Sequence, residues 1–195
     1  MLASLADAPL DDPHLVYEPK YDGIRAIAEV SAESVRLWSR LGNEKTRQFP
    51  EIAAGLQSWA KTLKEPVILD GEIVALDDQG EPTGFQNLQG RIHLAEGPPV
   101  RAMADVPSAR GRRASPALPA PPADAAPSVA FIAFDLLRTG TRDLRERPLV
   151  ERRAALEKLF GKTRSPLLRI SAIAHGSGRD LFAQAFERGW EGLIA

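Results

Sequence analysis

The sequence predicts an α+β fold in a single domain. Its 195 residues are 44% hydrophobic and 26% charged, which is the balance of an ordinary globular protein and not of a disordered or fibrous one. Short runs rich in β-branched and aromatic residues alternate with amphipathic segments along the chain. Most connections between these segments are too short to separate several domains. We therefore expect one sheet-containing domain over residues 1–195.

The individual elements follow from apolar spacing and from the turn formers that bound each run. In residues 24–30, alternate positions are apolar and share one face, as in a half-buried strand. Apolar residues at spacings of three and four predict helices, and Pro50 is suited to the first turn of one of them. The predicted strands are residues 24–30, 35–39, 67–76, 129–137 and 168–173, and the predicted helices are 50–63, 149–160 and 180–188.

Residues 97–128 differ from the rest of the chain in composition. This stretch holds 8 of the 16 prolines together with 9 alanines, and four arginines outnumber two aspartates. It has too few large apolar side chains to offset the entropy of ordering it. We expect a flexible Pro/Ala-rich insertion within the domain, and a plain loop is favoured over a basic tether that contacts phosphate.

Charge and cysteine content exclude several classes of function. The 25 basic and 26 acidic residues nearly cancel, so a nucleic-acid partner would have to bind a local basic patch. The absence of cysteine excludes disulfides, thiolate catalysis and cysteine-type zinc sites. No apolar run approaches the ~18 residues that a membrane span needs, so we expect a cytoplasmic protein without a membrane partner.

The strongest chemical signal lies in residues 17–25. If this stretch is extended, Glu18, Lys20 and Asp22 project from one face and place an amine between two carboxylates. Gly23 then permits a sharp turn, and Arg25 returns a fixed positive charge to the next strand. The spacing fits an anion site built around an amine nucleophile, and it fits a surface salt-bridge cluster equally well.

Acidic residues lie within three otherwise apolar strand segments. Asp70 and Glu72 interrupt one such run, Asp135 lies within a second, and Glu191 opens a third near the end of the chain. Buried charges are costly unless they are paired or bound to a metal, and carboxylate oxygens are the ligands that Mg²⁺ and Mn²⁺ prefer. These positions therefore predict a divalent-metal site.

These motifs together resemble a known superfamily. Lys20-Tyr21-Asp22-Gly23 fits the Lys-x-Asp-Gly signature of the covalent nucleotidyltransferases, which include ATP-dependent DNA ligases, RNA ligases and mRNA capping enzymes. Arg40 follows Lys20 at the ligase spacing. The remaining motifs occur in the family's order, at residues 39–43, 49–52, 70–72, 134–137 and 191–192. Within the superfamily the chain most resembles the adenylation domain of bacterial end-joining DNA ligases.

The resemblance implies a fold, a reaction and a set of partners. The expected fold is an α+β nucleotidyltransferase (ATP-grasp-like) domain, with mainly antiparallel strands in two sheets, flanking helices and the nucleotide pocket between them. The expected reaction is that of an ATP-dependent DNA ligase: lysyl-AMP formation, transfer of AMP to a DNA 5′-phosphate, and sealing of nicks or ends in repair and recombination. The implied cofactors are ATP with Mg²⁺ or Mn²⁺. The implied partners are nicked or broken duplex DNA and a DNA-end-binding protein, with the chain acting as a monomer.

The resemblance also assigns roles to single residues. Because a lysine amine is protonated at neutral pH, the nucleophile should become reactive only when ATP and metal are bound. The roles carried over are Lys20 as nucleophile, Asp22 as the acid that orients it, Glu18 beside adenine, Arg25 and Arg40 at ribose or phosphate, Glu72 near the ribose and the metal, Phe134 stacked on the purine, and Glu191 at the catalytic metal.

The chain departs from the family pattern at its C-terminus. It stops at Ala195, where relatives continue to further lysines and to an oligonucleotide-binding-fold domain. We therefore expect a truncated adenylation domain that by itself adenylates weakly or not at all and does not detectably seal nicks. The alternatives are an RNA ligase or capping-type nucleotidyltransferase, and a non-catalytic remnant that binds nucleotide.

Overall fold

A computed structural model describes residues 9–92, 129–161, 163, 165–188 and 190–195. The predicted insertion at residues 97–128 lies outside the described residues. Within the described part, the chain forms ten strands, four α-helices and two short 3-10 turns. The α+β prediction is therefore confirmed.

The strands and helices alternate irregularly along the chain. The strands are β1 (Val16–Pro19), β2 (Ile24–Val30), β3 (Val35–Ser39), β4 (Val67–Leu76), β5 (Pro82–Thr83), β6 (Val129–Thr139), β7 (Arg142–Asp143), β8 (Leu168–Ile170), β9 (Ala174–His175) and β10 (Leu193–Ile194). The helices are α1 (Pro50–Ala60), α2 (Gln89–Ile92), α3 (Leu149–Phe160) and α4 (Arg179–Glu187).

The strands form two sheets. The larger sheet has the order β3-β2-β4-β6-β7, with β5 paired to β4 and β8 paired to β6. All of its pairs are antiparallel except β6 with β8. The smaller sheet has the order β10-β1-β9 and is antiparallel. This arrangement confirms the prediction of mainly antiparallel strands in two sheets.

The core lies between one face of the larger sheet and the helices α1 and α3. Alternate residues of β2, β4 and β6 point into it, in line with the period-2 pattern of a strand. Ala26, Leu69 and Phe131 are fully buried there and pack in one cluster with Leu56 of α1 and Leu156 of α3. The helices therefore cover one face of the central strands, and the opposite face is left for other contacts.

That opposite face carries a second, smaller cluster. Val74 and Ile132 are buried there, and the Tyr21 ring packs against them. The alternation of β2 and β4 places Arg25 and Glu72 on the same face. The segment that follows β1 thus lies across the charged face of the larger sheet.

Several predicted bounds differ from those of the structure, and three segments show the physical reason. Residues 17–25 are not one extended run, because β1 ends at Pro19 and residues 20–23 form a link to β2. The helix predicted for residues 50–63 ends at Ala60, where the Thr62 hydroxyl donates to the Trp59 carbonyl over 2.8 Å. The strand predicted for residues 168–173 ends at Ile170, where its partner β6 changes register.

Candidate active site

The backbone holds Lys20 and Glu191 side by side, although they are far apart in the sequence. Lys20 directly follows β1 and Glu191 precedes β10, and these two strands pair antiparallel. Two further hydrogen bonds extend the pairing: Lys20 N–H donates to the Gly192 carbonyl over 2.9 Å, and Glu191 N–H donates to the Lys20 carbonyl over 3.1 Å. The Lys20 ammonium and the Glu191 carboxylate form an ion pair, and each side chain is 45% exposed. The predicted nucleophile therefore faces a predicted metal ligand.

Two glycines make this arrangement possible. Gly192 has φ +131°, a backbone conformation that residues other than glycine rarely adopt. Its carbonyl accepts a hydrogen bond from Lys20 N–H. At Gly23, a Cβ atom would lie 2.2 Å from the Ile73 carbonyl oxygen of β4. Only glycine therefore lets the link at residues 20–23 lie this close to the larger sheet.

Arg25 joins an acid and an aromatic ring on the face of the larger sheet. Its guanidinium donates to Asp70 through two nitrogens, at 3.0 and 2.6 Å. The same guanidinium lies over the Phe134 ring, 5.7 Å from the ring centroid, which is the geometry of a cation–π contact. One face of the Phe134 ring is therefore covered by the Arg25 guanidinium.

Glu72 lies opposite Arg25 in the β2–β4 register and carries the most perturbed carboxyl of the site. Burial raises the pKa of Glu72 to about 8, and the carboxylates of Asp70, Glu191 and Asp22 add to the rise, while Arg25 opposes it. Glu72 is therefore mostly protonated at neutral pH. A carboxyl kept neutral by burial, with neighbouring acids adding to the effect, would gain most from a bound cation.

Asp22 and Glu18 flank Lys20 in sequence but have other partners. Asp22 accepts a hydrogen bond from Phe85 N–H over 2.9 Å, which ties the link at residues 20–23 to the 3-10 turn after β5. Glu18 is 14% exposed and lies 3.8 Å from a nitrogen of Arg153. Burial raises the pKa of Glu18, and a hydrogen bond with Ser171 and the charge of Arg153 oppose the rise. The expected amine between two carboxylates was therefore wrong, because each carboxylate has a partner of its own.

Arg40 lies at the margin of the site, in the turn after β3. Its side chain is exposed and lines a cavity of about 200 Å³ together with Arg25, Ile27 and Ser39. Both arginines assigned to ribose or phosphate thus border one cavity.

The predicted metal site needs a correction. Asp70 is occupied by Arg25, and Asp135 accepts from the Arg152 guanidinium at 2.8 and 2.9 Å, so these two buried acids are neutralised by arginines. Glu72 and Glu191 remain as candidates. Within the described ranges, no three His, Cys, Asp or Glu side chains form a metal-binding group. Two carboxylates still suffice for Mg²⁺, which is typically held by one or two carboxylates and by substrate phosphates.

The sequence did not identify three contacts beside the site. Tyr21 meets Trp190 edge to face with ring centroids 5.6 Å apart, and Arg188 lies over the Trp190 ring. Arg153 reaches Glu18 from α3. The sequence did contain a signal for the contact between Arg153 and Glu18. Arginines 152 and 153 are adjacent in a helix that was expected to pack on the sheet, so at least one of the two charges had to lie near the core.

The described residues include no helix that is long and apolar enough to cross a membrane.

Comparison with known proteins identifies the family. The family described as "ATP dependent DNA ligase domain" matches residues 1–195. DNA ligase C of Mycobacterium tuberculosis is 40% identical over 144 residues, which is 74% of this chain and 33% of that protein. The multifunctional non-homologous end joining protein LigD of Pseudomonas aeruginosa is 33% identical over 99% of this chain and 19% of its own length. The chain thus spans a third or less of these two relatives.

The chain is also similar to solved structures of DNA ligases. The ligase domain of M. tuberculosis LigD matches with a TM-score of 0.62 and 30% identity, over 92% of this chain and 47% of that chain. A mycobacterial DNA ligase D complexed with ATP and MES matches with a TM-score of 0.62 and 31% identity, over 91% of this chain and 46% of that chain. Since the family matches the whole chain and the fold agrees with it, the protein belongs to the family of ATP-dependent DNA ligase domains.

Proposed function

We propose that this chain carries the nucleotidyl-transfer site of an ATP-dependent DNA ligase, with Lys20 as the residue that receives AMP. The observation that carries the proposal is the pairing of Lys20 with Glu191 by backbone and side chain, beside the charged face that bears Arg25 and Glu72. The names of the relatives, which are DNA ligases, support DNA as the substrate.

The proposed reaction has three steps: AMP is transferred from ATP to Lys20, then from Lys20 to a DNA 5′-phosphate, and the strand is then sealed. The neutral Lys20 amine attacks the α-phosphorus of ATP, an N–P bond forms, and the bond to the bridging oxygen breaks, so that pyrophosphate leaves and the nitrogen loses a proton. A DNA 5′-phosphate oxygen then attacks the same phosphorus, and the N–P bond breaks. Attack by the DNA 3′-hydroxyl on the activated 5′-phosphate finally releases AMP and closes the strand.

The ion pair with Glu191 keeps the Lys20 amine unreactive. An amine paired with Glu191 is an ammonium without a free lone pair, so Lys20 must lose this contact and a proton before it attacks. Asp22 anchors the link at residues 20–23 to Phe85 and thereby fixes the backbone from which Lys20 extends. We assign Asp22 this orienting role.

The remaining roles follow from position. Arg25 and Arg40 border one cavity and supply cations for phosphate or ribose. Because Arg25 covers one face of the Phe134 ring, the purine is expected to stack on the other face. Glu18 lies beside the adenine. Glu72 and Glu191 would hold Mg²⁺ or Mn²⁺, which when bound supplies charge neutralisation for the transferred phosphate.

Covalent capture of AMP is the direct test. Stoichiometric amounts of the purified chain are incubated with radiolabelled ATP and Mg²⁺ for long times, so that a single slow turnover is detected. Intact-mass measurement and peptide mapping should place one AMP on Lys20. Lys20→Arg keeps a cation opposite Glu191 but removes the amine, and it should carry no label. Lys61→Arg, at an exposed lysine after α1, should label like the wild type.

The outcomes separate the open alternatives. ATP binding without an adduct would contradict the covalent step and favour a nucleotide-binding remnant. If the labelled protein passes AMP to nicked RNA or to diphosphate-ended RNA and not to nicked DNA, the RNA ligase or capping alternative holds. Transfer to nicked DNA is the expected result.

The biological setting follows from the relatives and from the sequence. Because LigD of P. aeruginosa is named for non-homologous end joining, we propose broken DNA ends as a substrate and a DNA-end-binding protein as a partner. A monomer acting in the cytoplasm in DNA repair and recombination stays a prediction from the sequence.

A further inference from the structure

Arg153 is a buried cation that no step of the proposed reaction uses. It lies in α3, and its side chain is 10% exposed. Its Nε donates to Glu157 over 2.7 Å and its Nη2 donates to the Ser171 carbonyl over 2.7 Å, so the guanidinium plane is fixed on two sides. Because two of its three nitrogens are hydrogen-bonded, the Arg153 guanidinium has little freedom to rotate and can hold a neighbouring side chain in one orientation.

The third nitrogen of this guanidinium is directed toward the site. Nη1 of Arg153 is buried without a hydrogen-bond partner among the described residues, and it lies 3.8 Å from Oε1 of Glu18. Buried donors are rarely left unpaired because an unmade hydrogen bond is costly. The arrangement therefore favours a small shift of the Glu18 carboxylate toward Arg153.

The backbone beside Glu18 fixes Arg153 in turn. The Ser171 carbonyl accepts from Nη2 of Arg153 over 2.7 Å, and the Ser171 hydroxyl donates to the Ala172 carbonyl over 3.3 Å. Arg153 thus has a fixed position from which its charge can orient the oxygens of Glu18.

We propose that Arg153 is a positioning residue that orients Glu18 so that the site selects adenine over purines with a 6-oxo group. The proposal rests on the proposed function, in which Glu18 lies beside the adenine. A carboxylate only accepts hydrogen bonds, and the 6-amino group of adenine donates one, whereas a 6-oxo group also only accepts. An oriented Glu18 pairs with adenine and leaves two acceptors facing each other when the base is hypoxanthine.

The adjacent residue provides a matched control. Arg152 lies in the same helix and is equally buried, but its guanidinium donates to Asp135 and to the Arg147 carbonyl. Replacing either arginine with lysine removes a buried two-pronged contact and should lower the stability. Only the change at Arg153 should alter base selectivity, because only Arg153 faces Glu18.

The test compares equilibrium binding of ATP and of inosine triphosphate to the purified chain. The wild type should prefer ATP. Arg153→Lys and Glu18→Gln should each reduce that preference about tenfold, the size expected for one hydrogen bond to a charged group. Arg152→Lys should leave the preference unchanged. In the double variant, Arg153→Lys should add nothing to Glu18→Gln, since both act through the same carboxylate.

A second variant covers the case in which Arg153→Lys does not fold. Glu157→Ala removes the Nε partner of Arg153 at a position whose side chain is half exposed, and it should reduce the ATP preference about threefold by loosening the guanidinium. An unchanged preference in folded Arg153→Lys, or in Glu157→Ala where the lysine variant is unfolded, overturns the positioning role.

The two proposals fail in different ways. A wild type that binds both nucleotides equally, yet forms lysyl-AMP, overturns the selectivity proposal alone. A wild type that binds neither nucleotide overturns the proposed function and this inference with it.

Discussion

Replacing Gly23 with alanine should force the link at residues 20–23 away from the larger sheet. The new Cβ would lie 2.2 Å from the Ile73 carbonyl oxygen and 3.0 Å from Cγ of Glu72. The closer of these atoms belongs to the backbone of β4, so a shift of roughly 1 Å in the link or in the strand is needed to relieve the clash. Overpacking of this kind costs about 3 kcal/mol, which for a chain of this size lowers the melting temperature by about 6 to 12 °C.

Thermal and urea unfolding followed by circular dichroism measure the effect, and Gly55 supplies the comparison. A Cβ at Gly55, in the middle of α1, would lie 3.5 Å from the Leu167 side chain, which is an ordinary contact. Gly55→Ala should therefore stabilise the protein by up to about 1 kcal/mol through helix propensity. The reasoning is refuted if Gly23→Ala melts with the wild type, or if both alanine variants shift the melting temperature in the same direction.

Three further predictions concern charge and stacking. Because the folded state holds the Glu72 proton up to a pKa of about 8 while the unfolded state releases it near 4.5, wild-type stability should fall by about 4 kcal/mol between pH 4.5 and pH 8. Glu72→Gln should remove this loss in urea titrations with EDTA. Asp135→Asn should cost about 3 kcal/mol in the same assay, because it leaves the buried Arg152 guanidinium without its carboxylate, whereas Asp143→Asn in an exposed pair should leave the urea midpoint nearly unchanged. Phe134→Ala should weaken ATP binding about tenfold in calorimetry, the loss expected for one base stacked on one aromatic ring, and unchanged affinity would contradict the stacking role.

The central strands could be predicted because their signal is local. The alternation in residues 24–30 reflects a strand with one face in the core, and the mainly apolar run at residues 67–76, interrupted by Asp70 and Glu72, reflects a strand that is buried along most of its length. The structure gives both strands the predicted bounds. The short strands were not predicted. Strands of two residues, such as β7 and β10, exist only because a distant segment pairs with them, and no local pattern records that.

The sequence identified candidate residues of the site, but it did not show which of them contact each other. The motifs identified Lys20, Glu72 and Glu191 as candidates, since the chemistry restricts which residue types can serve. Partners depend on strand register and on helix packing, which sequence spacing does not give. Asp70 thus meets Arg25 from the neighbouring strand, and Glu18 meets a residue of α3 instead of Lys20.

Under the proposed function, the charge balance of the site favours a cation that arrives with the nucleotide. Lys20 is paired with Glu191, and Arg25 is paired with Asp70, so neither cation is available to phosphate without giving up a carboxylate. Burial, with a smaller contribution from neighbouring acids, raises the pKa of Glu72 to about 8 and keeps its carboxyl mostly protonated. A triphosphate that took up both paired cations would leave Asp70 and Glu191 without their partners. Under the proposed function, a divalent cation arriving with the nucleotide and held by Glu72 and Glu191 would offset this added negative charge together with that of the phosphates.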